Sequence, residues 1–406
     1  MSEAPVVVIG AGAAGLMAAI HAAGGGRRVL LLERTRDGGR KILISGGGRC
    51  NILPSVAQPE RFVTDSPRPL LRHILRGWPL EQQRHFFEQE LGLPLVLEPE
   101  TGKLFPAANR ARVVRDRLLG EARVRGAEVR FDTLVTGLAP ATGSAGWQVT
   151  TAGAPPINAA RVIVATGGLS VPSTGSDGRG LGWLEALGHQ VHPTYPALTP
   201  LIGVAPAHHN LSGISLPVRI TVPGTRPPVE SAGGFLFTHR GWSGPAVLDV
   251  SHCAVRARME GRPAQLLVSW DDREAAVWEE TLLSAPGSVG GALRGALPDR
   301  LASLILEEAG VDPRTGTAQL RRESRRRLVE LLTRYPLPWQ GDEGYRKAEV
   351  TGGGVALDDV VTHTLESRRH PGLHICGEAL DAFGPIGGHN FQWAWATGQQ
   401  AGMACR

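Results

Sequence analysis

The chain has 406 residues, 42% of them apolar and 20% charged, a balance that excludes disorder and coiled coil and leaves room for two to three domains of about 100–200 residues each. Its 53 glycines follow no Gly-X-Y period, which excludes collagen, and fall in short clusters of the kind that make tight turns or close backbone approaches. The formal charge of +5 supports only weak attraction to anions, because 38 acidic groups balance 43 basic ones, all arginine except Lys41, Lys103 and Lys347.

In chain order, Val6–Ile9 is a continuous β-branched run, the pattern of a strand buried on both faces of a parallel sheet. Gly10-Ala11-Gly12-Ala13-Ala14-Gly15 follows and opens a helix over Leu16–Ala23, stopped by Gly24-Gly25-Gly26. A second strand, Val29–Leu32, ends at Glu33 and completes a β-α-β unit. Arg68–Leu91 has a helical pattern broken at Pro79, and Asn109–Arg125 reads as another amphipathic helix. Ala127–Phe131, Thr133–Leu138 and Trp147–Thr151 read as strands, and Val162–Ala165 as a buried strand running into Thr166-Gly167-Gly168.

After about residue 190 prolines become dense and short strands dominate, at Val218–Val222, Phe235–Thr238 and Gln265–Trp270. Helices take over between about 273 and 334, broken by Pro286, Pro298 and Pro313. Near 345 the first texture returns as a Gly-rich turn, a strand at Leu373–Cys376, a second Gly-rich turn and a terminal helix. The expected organisation is one α/β domain, 1–190 and 345–406, interrupted by a β-rich stretch, 191–272, and a helical one, 273–344.

Cys50, Cys253, Cys376 and Cys405 stand far apart with no Cys-x-x-Cys, so no dithiol centre and no metal site is expected. No run reaches 18 apolar residues and the start shows no signal-peptide pattern, so the expectation is a cytoplasmic protein without membrane attachment.

A lone Gly-x-Gly-x-x-Gly is weak evidence, but here it follows a strand, opens a helix and has an acid 21 residues after its second glycine. Gly10 permits the tight turn, Gly12 admits a pyrophosphate, and Gly15 lets helix and strand pack closely. The helix N-terminus offers N–H groups and partial positive charge to the phosphates. Glu33 can accept the ribose hydroxyls and would repel a 2′-phosphate, which selects FAD or NAD over NADP. The return to the first domain after residue 345 favours FAD, whose ring lies far from the first turn. The stretch Gly384-Pro385-Ile386-Gly387-Gly388-His389-Asn390 leads into a helix whose N-terminus can face a flavin ring; the alternative is an ordinary helix start capped by Asn390.

At these residues the sequence resembles the BaiN/RdsA-type NAD(P)/FAD-dependent oxidoreductases, HI0933-like flavoproteins related to aminoacetone oxidase. The matching segments are 10–15, 39–51 (GRKILISGGGRCN), 165–168 (ATGG), 237–245 (FTHRGWSGP), 350–355 (VTGGGV) and 376–392, spanning nearly the whole chain. The resemblance implies a Rossmann-type, glutathione-reductase-like FAD-binding domain interrupted by an inserted β-barrel plus helical domain. It implies that Gly10, Gly12, Ala13, Ala14 and Gly15 hold the pyrophosphate and that Glu33, with Arg34 beside it, serves the adenosine ribose. Arg40 and Lys41 would lie near the phosphates or ribityl chain, and the segment Ser45, Gly46 to Cys50, Asn51 beside the isoalloxazine. Val135 would meet adenine through its backbone, and Thr166 and Gly167 would close over the cofactor. Gly377 and Glu378 would serve the ribityl or phosphate end with Asp381 as a second acid, and Gly387, Gly388, Asn390 and Phe391 the pyrimidine edge. Three positions depart from the pattern: His389 replaces a usual tyrosine or phenylalanine, Phe383 an acid and Leu365 a methionine. The substrate of a relative is therefore not carried over.

Among chemistry-bearing residues, His389 and His239 are candidate proton donors, since imidazole titrates near neutral pH, and Lys41 is a third candidate catalytic group. Each has a plainer reading as a structural or solvent-facing side chain. Cys50 reads as a packed, inert thiol, and Arg321–Arg327, five arginines in seven residues, as a solvated helix face or a phosphate-contacting patch. The expected activity is that of an FAD-dependent oxidoreductase passing hydride between a small organic substrate and the flavin. NAD(P)H or oxygen would be the other redox partner, with nicotinamide docking transiently because only one fingerprint is present. A flavin-dependent nucleic-acid-modifying enzyme and a non-enzymatic flavin redox sensor are the alternatives. Nucleic acid is not the expected partner, and no obligate protein partner is evident.

Overall fold

The computed structural model describes residues 4–142, 145–204, 206–225 and 228–406. The chain divides into two compact units, Met1–Tyr195 with Glu349–Arg406, and Pro196–Ala348.

The first unit is built on a five-stranded parallel sheet ordered Leu373–Ile375, Arg161–Val164, β1 (Val6–Ile9), β2 (Val29–Leu32), Ala127–Arg130. β1 is central, pairing Val6 with both Arg161 and Val29, and its four side chains are at most 4% exposed. Helix α1 (Ala13–Ala23) connects β1 to β2. It packs against the last helix, His389–Ala404, through small residues that bring the two backbones together. A Cβ on Gly402 would lie 2.5 Å from the Ala18 carbonyl oxygen. The strand order places the last strand of the chain beside Arg161–Val164, so the C-terminal ends of all five strands open toward the Gly-rich turns, the edge where α/β sheets bind ligands.

The segment 350–355 is not the Gly-rich turn expected of it but a fully buried strand, Val350–Val355, paired with Val191–Ala197. Its glycines make room for neighbours: a Cβ on Gly352 would lie 2.2 Å from the Tyr195 ring, and one on Gly353 2.3 Å from the Pro193 carbonyl oxygen. A glycine signals a turn or a close approach, and here the second applies.

The second unit holds a seven-stranded sheet ordered Tyr335–Pro336, Leu267–Ser269, Ser215–Val222, Val229–Phe237, Gly241–Ser243, Leu201–Gly203, Trp339–Asp342. It is not the closed barrel that the resemblance implies. Its two edge strands are consecutive in the chain, joined by Leu337 and Pro338, so the sheet curls until its edges are neighbours. Among the described residues no ladder joins them, and Pro336 and Pro338 lack the N–H groups that a ladder needs. The stretch expected to be β-rich also contains a 15-residue helix, Pro245–Met259, begun by a proline at its first position. One apolar cluster joins sheet residues Ile220, Val268 and Trp270 to helix residues Trp278, Leu301 and Leu328, with no break near residue 272. No helix among the described residues is long and apolar enough to cross a membrane, and none of their His, Cys, Asp and Glu side chains form a group that could hold a metal.

Candidate cofactor site

β1 delivers the chain to the first glycine turn. Gly10 has φ +102°, a conformation open to glycine, and a Cβ there would lie 2.6 Å from the Ala165 carbonyl oxygen. A Cβ on Gly12 would meet nothing within 4 Å, so this glycine borders open space. Gly12 caps α1 without a side-chain bond, and the first turn holds no acidic residue. Ala13 and Ala14 add only methyl groups, leaving the helix N-terminus open to an anion.

Glu33, 8% exposed, closes one side of the turn. Its Oε2 accepts the Ala11 N–H at 2.7 Å, and its Oε1 accepts the Thr35 N–H at 2.8 Å and hydroxyl at 2.7 Å. Three of the roughly four lone-pair positions of a carboxylate are thus occupied, leaving one on Oε2 for a sugar hydroxyl. Val135 is buried at the start of the strand Val135–Pro140. Arg34 donates to Asp177, and Arg40 to Asp37 at 2.7 Å, a bond that holds the Asp37 carboxyl below its usual range. Both arginines therefore already have acidic partners.

Lys41 lies on α2 (Arg40–Ile44), entered through Gly39, whose N–H donates to the Ala11 carbonyl at 2.8 Å. Its Nζ donates to Glu378 and to Ser170, both at 2.6 Å. Glu378 follows Gly377, which packs against the same turn: a Cβ on Gly377 would lie 2.8 Å from that of Ala14. The ion pair therefore spans the glycine turn, one leg on Ala11 and the other on Ala14. Gly167, with φ +73°, borders Ser176, and the Thr166 hydroxyl is buried without a partner.

The stretch 45–51 makes a tight turn that ends at Cys50, buried with φ 63°, and Asn51. Ser45 donates its hydroxyl to the Ile42 carbonyl at 2.7 Å, while Gly46 faces the Asn51 N–H and the Phe105 ring. Burial pushes the Cys50 thiol up to about 12. Gly387 and Gly388 take positive φ at the start of the last helix, and a Cβ on Gly388 would lie 2.9 Å from Asn51 Oδ1. Three buried polar atoms gather there without a hydrogen-bond partner: Asn51 Oδ1, His389 Nδ1 and Gln392 Oε1. The helix has no side-chain cap and no acid in its first turn. Unspent polar atoms beside an open helix terminus fit the polar edge of a flavin, as the space at Gly12 fits a diphosphate.

Other expected contacts are spent elsewhere. Asn390 does not cap the helix; its side chain exchanges two 2.9 Å bonds with the Gly384 backbone. Phe391 stacks on Trp395 at 5.3 Å. Asp381, 2% exposed, holds the 64–66 turn: its Oδ2 accepts the Thr64 hydroxyl at 2.9 Å, the Ser66 hydroxyl at 2.8 Å, and the backbone N–H groups of Asp65 and Ser66, each at 2.9 Å. Burial, reinforced by Arg61, lowers His389 to about 4, so its imidazole is neutral at pH 7 and is no charged acid. His239 belongs to the second unit, exposed on the turn between Val229–Phe237 and Gly241–Ser243. Sequence reasoning missed Ser170, Thr351 and Gln392. All three lie in or beside the matching segments, but hydroxyls and amides announce no chemistry until their partners are known.

Comparison with known proteins agrees with this architecture. The HI0933-like protein Rossmann domain matches residues 4–404. The chain is 32% identical over 405 residues to a ribosomal RNA dihydrouridine synthase of Escherichia coli, covering 98% of this chain and 96% of that protein. It is 30% identical over 406 residues to a 3-dehydro-bile acid delta(4,6)-reductase of Clostridium scindens, covering 98% of each. In fold it resembles the solved 3-ketosteroid-delta4-(5alpha)-dehydrogenase of Rhodococcus jostii, with a TM-score of 0.53 at 17% identity over 99% of this chain and 96% of that one. With its Rossmann sheet, its open glycine turn and a family match from end to end, the chain belongs to the HI0933-like family of FAD-dependent oxidoreductases.

Proposed function

We propose that this enzyme reduces a carbon–carbon double bond conjugated to a carbonyl, that its substrate is a uracil base of ribosomal RNA, and that NAD(P)H is the reductant. The observation that carries this reading is the pair of relatives at 30% and 32% identity over 98% of the chain. Dihydrouridine is uridine with the double bond next to a ring carbonyl saturated, and a delta(4,6)-reductase of 3-oxo steroids saturates the same kind of bond. The common reaction adds a hydride to the β-carbon and a proton to the α-carbon.

FAD supplies the hydride chemistry when bound. The protein's part is to hold and orient. In this reading Gly10, Gly12 and Gly15 with the N-terminus of α1 receive the diphosphate, and Glu33 a ribose hydroxyl. Asn51, Gln392 and the backbone of Gly387–Phe391 face the polar edge of the flavin, where the positive end of the last helix favours developing negative charge. His389, held neutral, offers a hydrogen bond there rather than an ionic proton.

The choice of RNA over a small molecule is supported by the helix Arg322–Thr333. Arg325 is spent on Glu279 at 2.7 Å and Arg327 on Glu330 at 3.2 Å. Arg321, Arg322 and Arg326 are exposed with no acidic partner among the described residues, and three unspent guanidiniums in six positions suit a phosphate backbone. A small enone is the second reading, favoured by the Clostridium scindens relative.

The test is anaerobic mixing of the purified yellow protein with NADH or NADPH, followed by flavin absorbance. The bleached enzyme is then offered unmodified ribosomal RNA or a 3-oxo-4-ene steroid. RNA that reoxidises the flavin and gains two mass units at a uridine supports the first reading, and reoxidation by the steroid alone supports the second. Reoxidation only by oxygen would sink both.

A further inference from the structure

Glu378 sits where the resemblance implies an acid serving the ribityl or phosphate end of the cofactor, but its bonds are already spent. Oε2 accepts Lys41 Nζ at 2.6 Å; Oε1 accepts the Ser170 hydroxyl at 2.5 Å, the Thr351 N–H at 3.0 Å and the Thr351 hydroxyl at 2.9 Å. Four donors fill the roughly four lone-pair positions of a carboxylate. A carboxylate also repels a diphosphate, whereas an ammonium attracts it.

The surroundings lock this arrangement. Thr351 Oγ1 accepts the N–H groups of Leu169 at 2.7 Å and Ser170 at 3.1 Å while donating to Glu378, so one hydroxyl ties the end of the Arg161–Val164 strand connection to the acid. Gly168 gives the space: a Cβ there would lie 2.4 Å from Thr351 Oγ1. Ser170, fully buried, accepts from Lys41 and donates to Glu378, closing a three-membered ring of bonds. Lys41 has three N–H groups; two are used in this ring, and the third has no partner among the described residues.

We infer that Glu378 is the anchor of Lys41 rather than a ligand of the cofactor. Ser170 and Thr351 are positioning residues that hold this anchor, and Lys41 presents its remaining N–H and its charge to the anionic diphosphate at the glycine turn. This rests on the FAD site proposed above. It explains why the pair straddles Ala11 and Ala14, and why an acid is tolerated beside a phosphate site: its charge is neutralised by the lysine that it holds.

The test uses the holoprotein and follows FAD release on dilution by flavin fluorescence, with circular dichroism to confirm the fold. Lys41→Met should speed release about tenfold, a loss of about 1.4 kcal/mol, and should flatten the dependence of release on salt. Thr351→Val and Ser170→Ala should speed it severalfold, and Thr351→Ser should restore the original rate. The double variant Lys41→Met/Glu378→Gln should release FAD no faster than Lys41→Met alone, because the acid acts only through the lysine. Independent, multiplying effects of Glu378→Gln and Lys41→Met would overturn the inference, as would a Thr351→Val protein that behaves like wild type. Wild-type protein that carries no FAD would overturn the cofactor site as well. Flavin-loaded protein inactive on both substrates would overturn only the substrate reading, and the release rates would still decide the role of Glu378.

Discussion

Gly398 of the last helix rests directly on Ala14 of α1: a Cβ added to the glycine would lie 2.3 Å from the Ala14 carbonyl oxygen and 3.0 Å from the Met17 Cβ. Neither neighbour is the far end of a flexible chain, so the helices must part to admit even a methyl group. Gly398→Ala is expected to cost about 1–3 kcal/mol of stability, read as a lower urea midpoint. It should also loosen FAD, because Ala14 belongs to the glycine turn.

Gly12 and Gly15 give opposite outcomes for the same substitution. A Cβ on Gly15 would lie 1.8 Å from the Gly10 carbonyl oxygen, so Gly15→Ala should destabilise the protein and strip it of flavin. The space beside Gly12 is open, so Gly12→Ala should fold with nearly unchanged thermal stability when flavin-free yet bind FAD at least about tenfold more weakly. Thermal melts and flavin absorbance of the two variants separate packing from binding. Equal melting losses in both would contradict this account.

Acid should unfold the protein through its buried imidazoles. Burial first, then nearby positive charge, lowers His21 to about 3 and His208 and His389 to about 4; burial lowers His252 to about 4 as well. The unfolded chain takes up these protons near 6.5 and the folded one does not, so stability is present in full above pH 6.5 and is lost as pH falls toward 4. Each unit of depression is worth about 1.4 kcal/mol, so the total reaches several kcal/mol. The urea midpoint should be flat between pH 7 and 8 and fall steadily below 6.5. A midpoint that rises on acidification would refute the assignment.

No thiol should react quickly in the native protein. Burial raises Cys50 and Cys405 to about 12, Cys253 to about 11, and Cys376 further still. A chromogenic disulfide reagent should release almost no colour until denaturant is added, then titrate four groups. Rapid modification of one cysteine in folded protein would reopen a redox role for it.

The legible part of this molecule is the part written locally. Val6 to Glu33 disclose strand, turn, helix, strand and acid in one unbroken stretch, because each choice is enforced within a few positions. The Lys41–Glu378 bond joins residues 337 positions apart and has no local trace, so the two read as separate candidates rather than one device. Gly352 and Gly353 were ambiguous for a physical reason: absence of a Cβ suits a turn and a crowded strand equally, and only the positions of Tyr195 and Pro193 decide between them. Asn390 and Asp381 carry the right chemistry for ligands, but their bonds to Gly384 and to the 64–66 turn depend on the folded chain.

The order of the chain also bears on its birth at the ribosome. The sheet of the first unit is incomplete until Leu373–Ile375 joins it, and α1 stays uncovered until the 389–404 helix arrives, both long after Pro196–Ala348 has emerged. The inserted unit has its own apolar core and is free to mature first, while the nucleotide half waits with its earliest helix exposed. Synthesis that stalls late would therefore yield a chain whose middle is sound and whose beginning is sticky, a natural target for chaperones and proteases.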